Sequence, residues 1–336
     1  MEKASPLKPK RGVWPAVGLF FLAPLVAEFL LGNLPIKLLA SLIVLAPMYG
    51  GGALLIREVV RRAGRGWPSI VFMALAYGIV EEAYTTQSLF NPNYLKLNLH
   101  LLQPAYIPAL GIGAWWTVFV LTLHTAWSIS TSIALVEAAV PERAEKPWLA
   151  GIGLTVTGLL FALGVFATTR YQLKQDAFRA STAQLVTSGV LCIALIVAAF
   201  LLPRRKAASR SGAAPNSWLM GALGLVAGGA VLLVPSRWNW WAAVAIAAID
   251  FAVFFAAWLW SRREGWSMYH KLALASGAAM AYGIHAFVET PVVPGPVVVT
   301  RIGNAMFFLG AVGLIVFAAK RTRGWLKSVG KASDVA

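Results

Sequence analysis

The sequence predicts an all-α protein: a polytopic transmembrane helix bundle of about ten spans with both termini in the cytoplasm. Three observations carry that prediction: an apolar composition with little charge, ten long hydrophobic runs, and an uneven distribution of lysine and arginine between them. Of the 336 residues, 59% are hydrophobic and 12% charged, with a mean hydropathy of +0.70. A soluble domain carries about twice that charge. No aqueous fold of this length could bury so much apolar surface, so the solvent around it must also be apolar.

The hydrophobic runs cover residues 14–31, 35–55, 67–87, 113–138, 148–168, 183–202, 218–234, 240–260, 268–288 and 303–319. Each is close to the roughly 17–25 residues that a helix needs to cross about 30 Å of hydrocarbon. Continuous runs of this length are helices rather than the alternating strands of a membrane barrel. With the N-terminus inside, 22 of the 29 lysines and arginines fall on the inner side and 7 on the outer. Positive residues are retained in the cytoplasm, so this imbalance sets the orientation. It also accounts for the net charge of +16 through topology and anionic lipid contact, without nucleic acid. The expected location is a bacterial plasma membrane.

Trp14, Trp67, Trp115, Trp116, Trp148, Trp218, Trp238, Trp240 and Trp241 lie at predicted helix ends, as an aromatic belt would. The first run follows basic residues but lacks a small-x-small cleavage site, so it reads as an uncleaved helix. The lone Cys192 excludes an intrachain disulfide and any cysteine-rich metal cluster, and it packs as a small hydrophobe. Residues 204–216 form a flexible-looking linker that could divide one transmembrane domain, residues 1–336, into six plus four helices. Gly50–Gly52 and the run 227–229 suit close helix packing.

Two outer loops stand out. The 89–112 connection is long enough to suggest function, and within it residues 94–101 alternate apolar and polar, which predicts a strand or an interfacial segment. Residues 291–300 are extended by their prolines and predict a short hairpin.

A charge at bilayer depth costs several kcal/mol, so ionisable residues there face a bundle interior or a wet cavity and mark candidate sites. Glu28, Glu81, Glu82, His124, Asp250, His285 and Glu289 are placed in this way. At 1.5 Å per residue, Glu28 and Glu81 lie about 21 Å along their helices from the inner face, His285 about 25 Å, and His124 near mid-membrane. Tyr77, Glu81, Thr85 and Ser88 make a polar stripe on the third helix. Thr117, His124, Ser128 and Thr131 do so on the fourth, and Tyr282, His285 and Glu289 on the ninth. Glu81, Glu82, His124 and His285 are therefore the candidate catalytic residues. Tyr77, Thr85, Ser128, Tyr282, Glu289 and Glu28 are candidates for substrate binding. Adjacent Glu81 and Glu82 should diverge by about 100° on an α-helix, which puts one of them in the cavity. Elsewhere, Glu137 is expected to pair with Arg143 at the inner interface, and His100 and His270 are expected to be solvated.

The pattern Glu81-Glu82 on one helix, His124 on the next and His285 with Glu289 four residues on resembles the CAAX-protease and bacteriocin-processing (CPBP) family of glutamic intramembrane proteases. That family has Glu-Glu-x-x-x-Arg, Phe-x-x-x-His and His-x-x-x-Asn or Asp; this sequence has Thr86, Val120 and Glu289 at three of those places. The resemblance implies a membrane peptide as substrate, with Glu81 or Glu82 as base and His124 and His285 as its partners. No resident cofactor is expected. His124 and His285 with a glutamate could hold zinc, but no His-Glu-x-x-His sequence occurs.

Three functions stay open on the residues alone: an intramembrane hydrolase, a proton-coupled transporter of a small solute, or a scaffold whose buried polar groups hold helices together. No phosphate-binding loop, dinucleotide fingerprint or nucleophile elbow is present, which argues against ATP-driven transport and redox chemistry.

Overall fold

The computed structural model describes residues 12–202 and 210–333 and shows an all-α membrane protein. Among the described residues, helical segments occupy each of the hydrophobic runs. They are α1 (Trp14–Leu30), α2 (Ile36–Arg62), α3 (Trp67–Ile79, extended by a π turn at Val80–Thr85), α4 (Ala114–Ala139), α5 (Gly151–Gln175), α6 (Thr182–Leu201), α7 (Ser217–Leu233), α8 (Trp240–Trp260), α9 (Met268–His285) and α10 (Val297–Ser333). By length and composition α2, α4, α5, α6, α8 and α10 can each cross a bilayer, while α1 and α7 are shorter apolar helices. The basic residues 3, 8, 10, 11 and 204–206, and with them most of the predicted linker, lie outside the described residues. Beyond that gap Arg210–Ala213 pairs in parallel with Arg263–Glu264.

Burial sorts the helices into two classes. Helices α1 to α4 and α9 supply most of the core, including Leu19, Ala53, Ile70, Ile129, Ile133 and Tyr282. By contrast α5, α6, α8 and α10 expose large apolar side chains such as Ile152, Phe166, Ile193, Phe251 and Leu309. Such a surface is stable only against lipid. Small residues set the closest crossings. A Cβ on Gly277 of α9 would overlap the Gly221 carbonyl of α7, and one on Gly50 would overlap the Phe20 carbonyl of α1.

The charges at the basic end are not where the sequence suggests. Arg57 and Arg61 read as loop residues, yet α2 continues to Arg62 and buries both. Glu137 of α4 accepts from Arg57 Nε at 3.2 Å and from Arg61 Nε and Nη2 at 2.8 and 2.7 Å. The expected Glu137–Arg143 pair is thus corrected: Arg143 donates instead to the Gly12 carbonyl. Arg57 also donates to Glu58, 2.6 Å away, and to the carbonyls of Arg143, Ala144 and Lys146. Glu58 in turn accepts the Trp148 and Leu149 amides. The helix can carry these charges inward because each is paired and hydrogen-bonded. Trp148 belongs to this network and not to the belt, since it is buried with the Arg57 guanidinium 3.4 Å above its ring.

Three further expectations are corrected. Residues 94–101 do not form a strand: Leu95, Lys96, Asn98 and His100 all have positive φ, which breaks the extended backbone that alternation implies. The strands lie further on, in a two-residue hairpin pairing Tyr106–Ile107 with Ile112–Gly113. Residues 291–296 do not fold back as a hairpin; α10 begins at Val297, and the Val292 amide donates to the Asn33 carbonyl. His270 is buried, with its ring nitrogens engaged by Ser267 and by the Pro215 carbonyl, whereas His100 is exposed as expected.

Candidate functional site

Among the described residues four helices carry a π-helical stretch, and each stretch holds a polar residue of one cluster. Leu25–Leu30 contains Glu28, Ala46–Gly50 contains Tyr49, Val80–Thr85 contains Glu81 and Glu82, and Leu123–Thr131 contains His124. π turns are rare and concentrate at functional sites. Pro24 immediately precedes the first and Pro47 is the second residue of the next, where the missing N–H and the bulk of the ring open the turn. In α3 the Thr85 and Thr86 hydroxyls donate to the Val80 and Glu81 carbonyls, and in α4 Ser132 does the same for Trp127. These side chains satisfy carbonyls that a widened turn serves poorly.

The wide turn changes which side chains share a face. Successive residues diverge less than on an α-helix, so Glu81 and Glu82 both reach His124, correcting the expectation that one would turn away. His124 Nε2 lies 2.7 Å from Glu82 Oε1, and His124 Nδ1 lies 3.3 Å from Glu81 Oε2. All three residues are buried. Gly78, one turn before Glu81, lets α4 approach: a Cβ there would meet Leu121 at 3.0 Å and the His124 Cβ at 3.3 Å.

The two carboxylates are held differently. Glu82 Oε2 accepts from the Thr86 hydroxyl at 2.9 Å and from Ser88, whose oxygen in turn accepts from Trp116 Nε1 at 3.0 Å. With His124 on its other oxygen, Glu82 is fixed. Glu81 Oε2 sits near His124 Nδ1 but off the line of a hydrogen bond, and no hydrogen-bond partner satisfies it. Ser128 Oγ lies 3.4 Å from the same ring nitrogen. The Tyr77 hydroxyl is buried beside Glu81 and is likewise without a hydrogen-bond partner.

Tyr49 closes the cluster. Its ring centroid is 6.0 Å from that of His124 and 6.3 Å from that of Tyr77, and its hydroxyl donates to Glu28 Oε1 at 2.6 Å. Glu28 Oε2 accepts from Asn33 in the loop after α1, and Glu28 is half-buried. The group therefore runs from the buried glutamate–histidine trio to a carboxylate nearer the surface. Sequence reading missed Tyr49; its signal was Pro47 inside a hydrophobic run just ahead of Gly50–Gly52.

The remaining candidates lie apart from the trio. His285 Nε2 is 2.8 Å from Glu289, one turn along, and both are partly exposed. The expected meeting of His285 with His124 is not seen: His285 pairs with Glu289, and His124 with Glu81 and Glu82. Tyr282 is buried and stacks on Trp127 with centroids 4.3 Å apart. The Thr85 hydroxyl is taken up by its own helix. Asp250 accepts from the Thr122 hydroxyl on α4 and stands as a separate interhelical pair.

Chemically, the trio offers a fixed carboxylate orienting an imidazole, with a second, unsatisfied carboxylate oxygen on the imidazole's other side. The ligand atoms of Glu81, Glu82 and His124 lie within 4.8 Å of one another, a spacing that could also hold a metal ion. No curated protein and no solved structure matches the chain. The model of an uncharacterized membrane protein family matches residues 18–319, which include every member of the cluster, and the chain belongs to that family.

Proposed function

We propose that this protein is a membrane-embedded hydrolase that uses Glu81, Glu82 and His124 to add water across a bond in a membrane-borne substrate, with a membrane peptide as the substrate class. The observation that carries this reading is the unequal treatment of two neighbouring glutamates. Glu82 is saturated by Thr86, Ser88 and His124, while Glu81 Oε2 is buried and lacks a hydrogen-bond partner beside the other ring nitrogen. A held carboxylate that orients a histidine, with a free group on its far side, is the logic of an acid–base site.

In the reaction Glu81 and the Nδ1 side of His124 polarise a water. Its oxygen attacks the peptide carbonyl and its proton passes to Glu81. The C–N bond then breaks as Glu81 returns the proton to the leaving nitrogen. Glu82 acts through His124 and is a positioning residue.

The topology that accompanies this reading is one transmembrane domain of ten crossings in a plasma membrane, with both termini cytoplasmic, as the uneven basic residues support. It places the trio in the outer half of the bilayer with Glu28 towards the outer mouth. The resemblance to CPBP proteases supports the same chemistry through Glu81, Glu82 and His124, without a role for His285.

A second reading, a proton-coupled transporter, is favoured by the line Glu28, Tyr49, Glu81 and His124, since chains of buried carboxylates mark proton relays. One experiment separates the two. Proteoliposomes holding the full chain are given transmembrane peptides in isotope-labelled water, and products are read by mass spectrometry. The hydrolase reading expects new carboxyl termini carrying the label with wild type and His285→Ala, and about 10²–10⁴-fold fewer with Glu81→Gln. No cleavage by wild type, or cleavage by Glu81→Gln at the wild-type rate, overturns it.

A further inference from the structure

The geometry around His124 contains a mismatch that a water alone does not resolve. Glu81 Oε2 and His124 Nδ1 stand 3.3 Å apart, yet they make no hydrogen bond because the oxygen is off the axis of the ring nitrogen. Two donors bound to one cation at about 2.0–2.2 Å, with a tetrahedral angle between them, are separated by about 3.4 Å. The pair is therefore spaced as two ligands of one ion.

Three other features point the same way. Metal-ligating histidines almost always give their second ring nitrogen to a carboxylate, which fixes the ring; His124 gives Nε2 to Glu82 at 2.7 Å, and Glu82 is itself anchored by Thr86 and Ser88. The Tyr77 hydroxyl is the independent observation. Tyr77 is only 4% exposed, its hydroxyl meets no partner in full hydrogen-bond geometry, and it faces Glu81 with its ring 6.0 Å from that of His124. Finally, among the described residues no lysine or arginine pairs with Glu81 or Glu82. Two carboxylates and one imidazole in a low-dielectric interior then depend on a proton or a bound cation to balance their charge.

We propose that Glu81, His124 and Tyr77 form a binding site for one divalent cation of the zinc class, with Glu82 as the outer carboxylate that orients His124. Glu81 Oε2 and His124 Nδ1 are the direct ligands, the Tyr77 oxygen is the third donor, and a fourth position is left for water. The mixed nitrogen and oxygen donors suit zinc, cobalt or manganese better than calcium, which takes six to eight oxygens. The proposal rests on the hydrolase reading only for what the ion would do, which is to lower the pKa of a bound water. The site stands on geometry alone.

The test uses the full chain in nanodiscs, stripped with a chelator and titrated with Co²⁺, whose visible absorption reports ligation. The expected result is about one ion per chain with the strong bands of a low-coordinate site. Those bands should be absent in Glu81→Gln and in His124→Ala, shifted in the near-isosteric Tyr77→Phe, and retained in His100→Ala. Glu82→Gln should weaken affinity by about 10–100-fold. No bands above empty nanodiscs, or bands that persist in Glu81→Gln and His124→Ala, overturn the site. Peptide turnover, measured on the same stripped and loaded samples, separates the two proposals. Cleavage by protein that binds no ion removes the metal and leaves the hydrolase, whereas an ion bound as described with no cleavage removes the hydrolase and leaves the metal.

Discussion

Replacing Glu81 by glutamine should lower kcat for a membrane peptide by about 10²–10⁴-fold, the usual contribution of a positioned acid–base group, with little change in KM and no loss of thermal stability. The stability half of that expectation comes from Glu81 Oε2, which makes no hydrogen bond. Exchanging it for an amide breaks no hydrogen bond at that oxygen and leaves only its contact with His124 to weaken. Glu82→Gln should behave differently, although the two residues are neighbours of the same type. Glu82 accepts from Thr86, Ser88 and His124, so its replacement disturbs three hydrogen bonds. It should cost about 1–3 kcal/mol of stability in addition to activity. Thermal unfolding in detergent, set beside turnover for both variants, reads the contrast. Equal stability loss in the two would contradict the assignment of Glu81 as the free carboxylate.

The largest stability effect is expected at the basic end. Glu137→Ala leaves Arg57 and Arg61 buried without their shared carboxylate. Breaking a buried ion pair from one side typically costs about 3–5 kcal/mol, because the remaining charge is uncompensated. Here one carboxylate serves two guanidinium groups, and through Arg57 it also supports the 140–149 turn, whose carbonyls Arg57 binds. Chemical denaturation should show a large drop in midpoint, and the Trp148 fluorescence should redshift as the turn loosens. Glu142→Ala is the control. It removes the exposed pair with Arg321 and should cost no more than about 1 kcal/mol. Comparable losses in the two variants would mean that the buried network does not anchor the turn.

The helices and the cluster were legible in the sequence to different depths. Long apolar runs dictate helices in lipid because the backbone has no other way to satisfy its polar groups. Every run therefore overlaps a helix. Glu81, Glu82 and His124 were also legible, since an ionisable residue in such a run needs a partner. What pattern reading could not provide was the helical register at those points. An α-helical period separates Glu81 from Glu82, whereas the π turn at Val80–Thr85 brings both to His124. Only Pro24 and Pro47 hinted at π turns elsewhere. Composition misled at Arg57, Glu58 and Arg61, where four charges in six residues looked like a loop. Their buried pairing depends on Glu137 and Trp148, which are remote in sequence. The positive φ values at Leu95 and Lys96 were hidden for the opposite reason: nothing in those side chains asks for that backbone, and the surrounding loop imposes it.

The central claim is that Glu81 and His124 act as one unit, and a double-variant cycle on turnover tests it most directly. Measured in nanodiscs on one membrane peptide, Glu81→Gln, His124→Ala and the double variant should all fall to nearly the same residual rate, because groups that act together are grossly non-additive. Losses in the double variant that multiply those of the two single variants would contradict the claim, since they would mean that the glutamate and the histidine work independently.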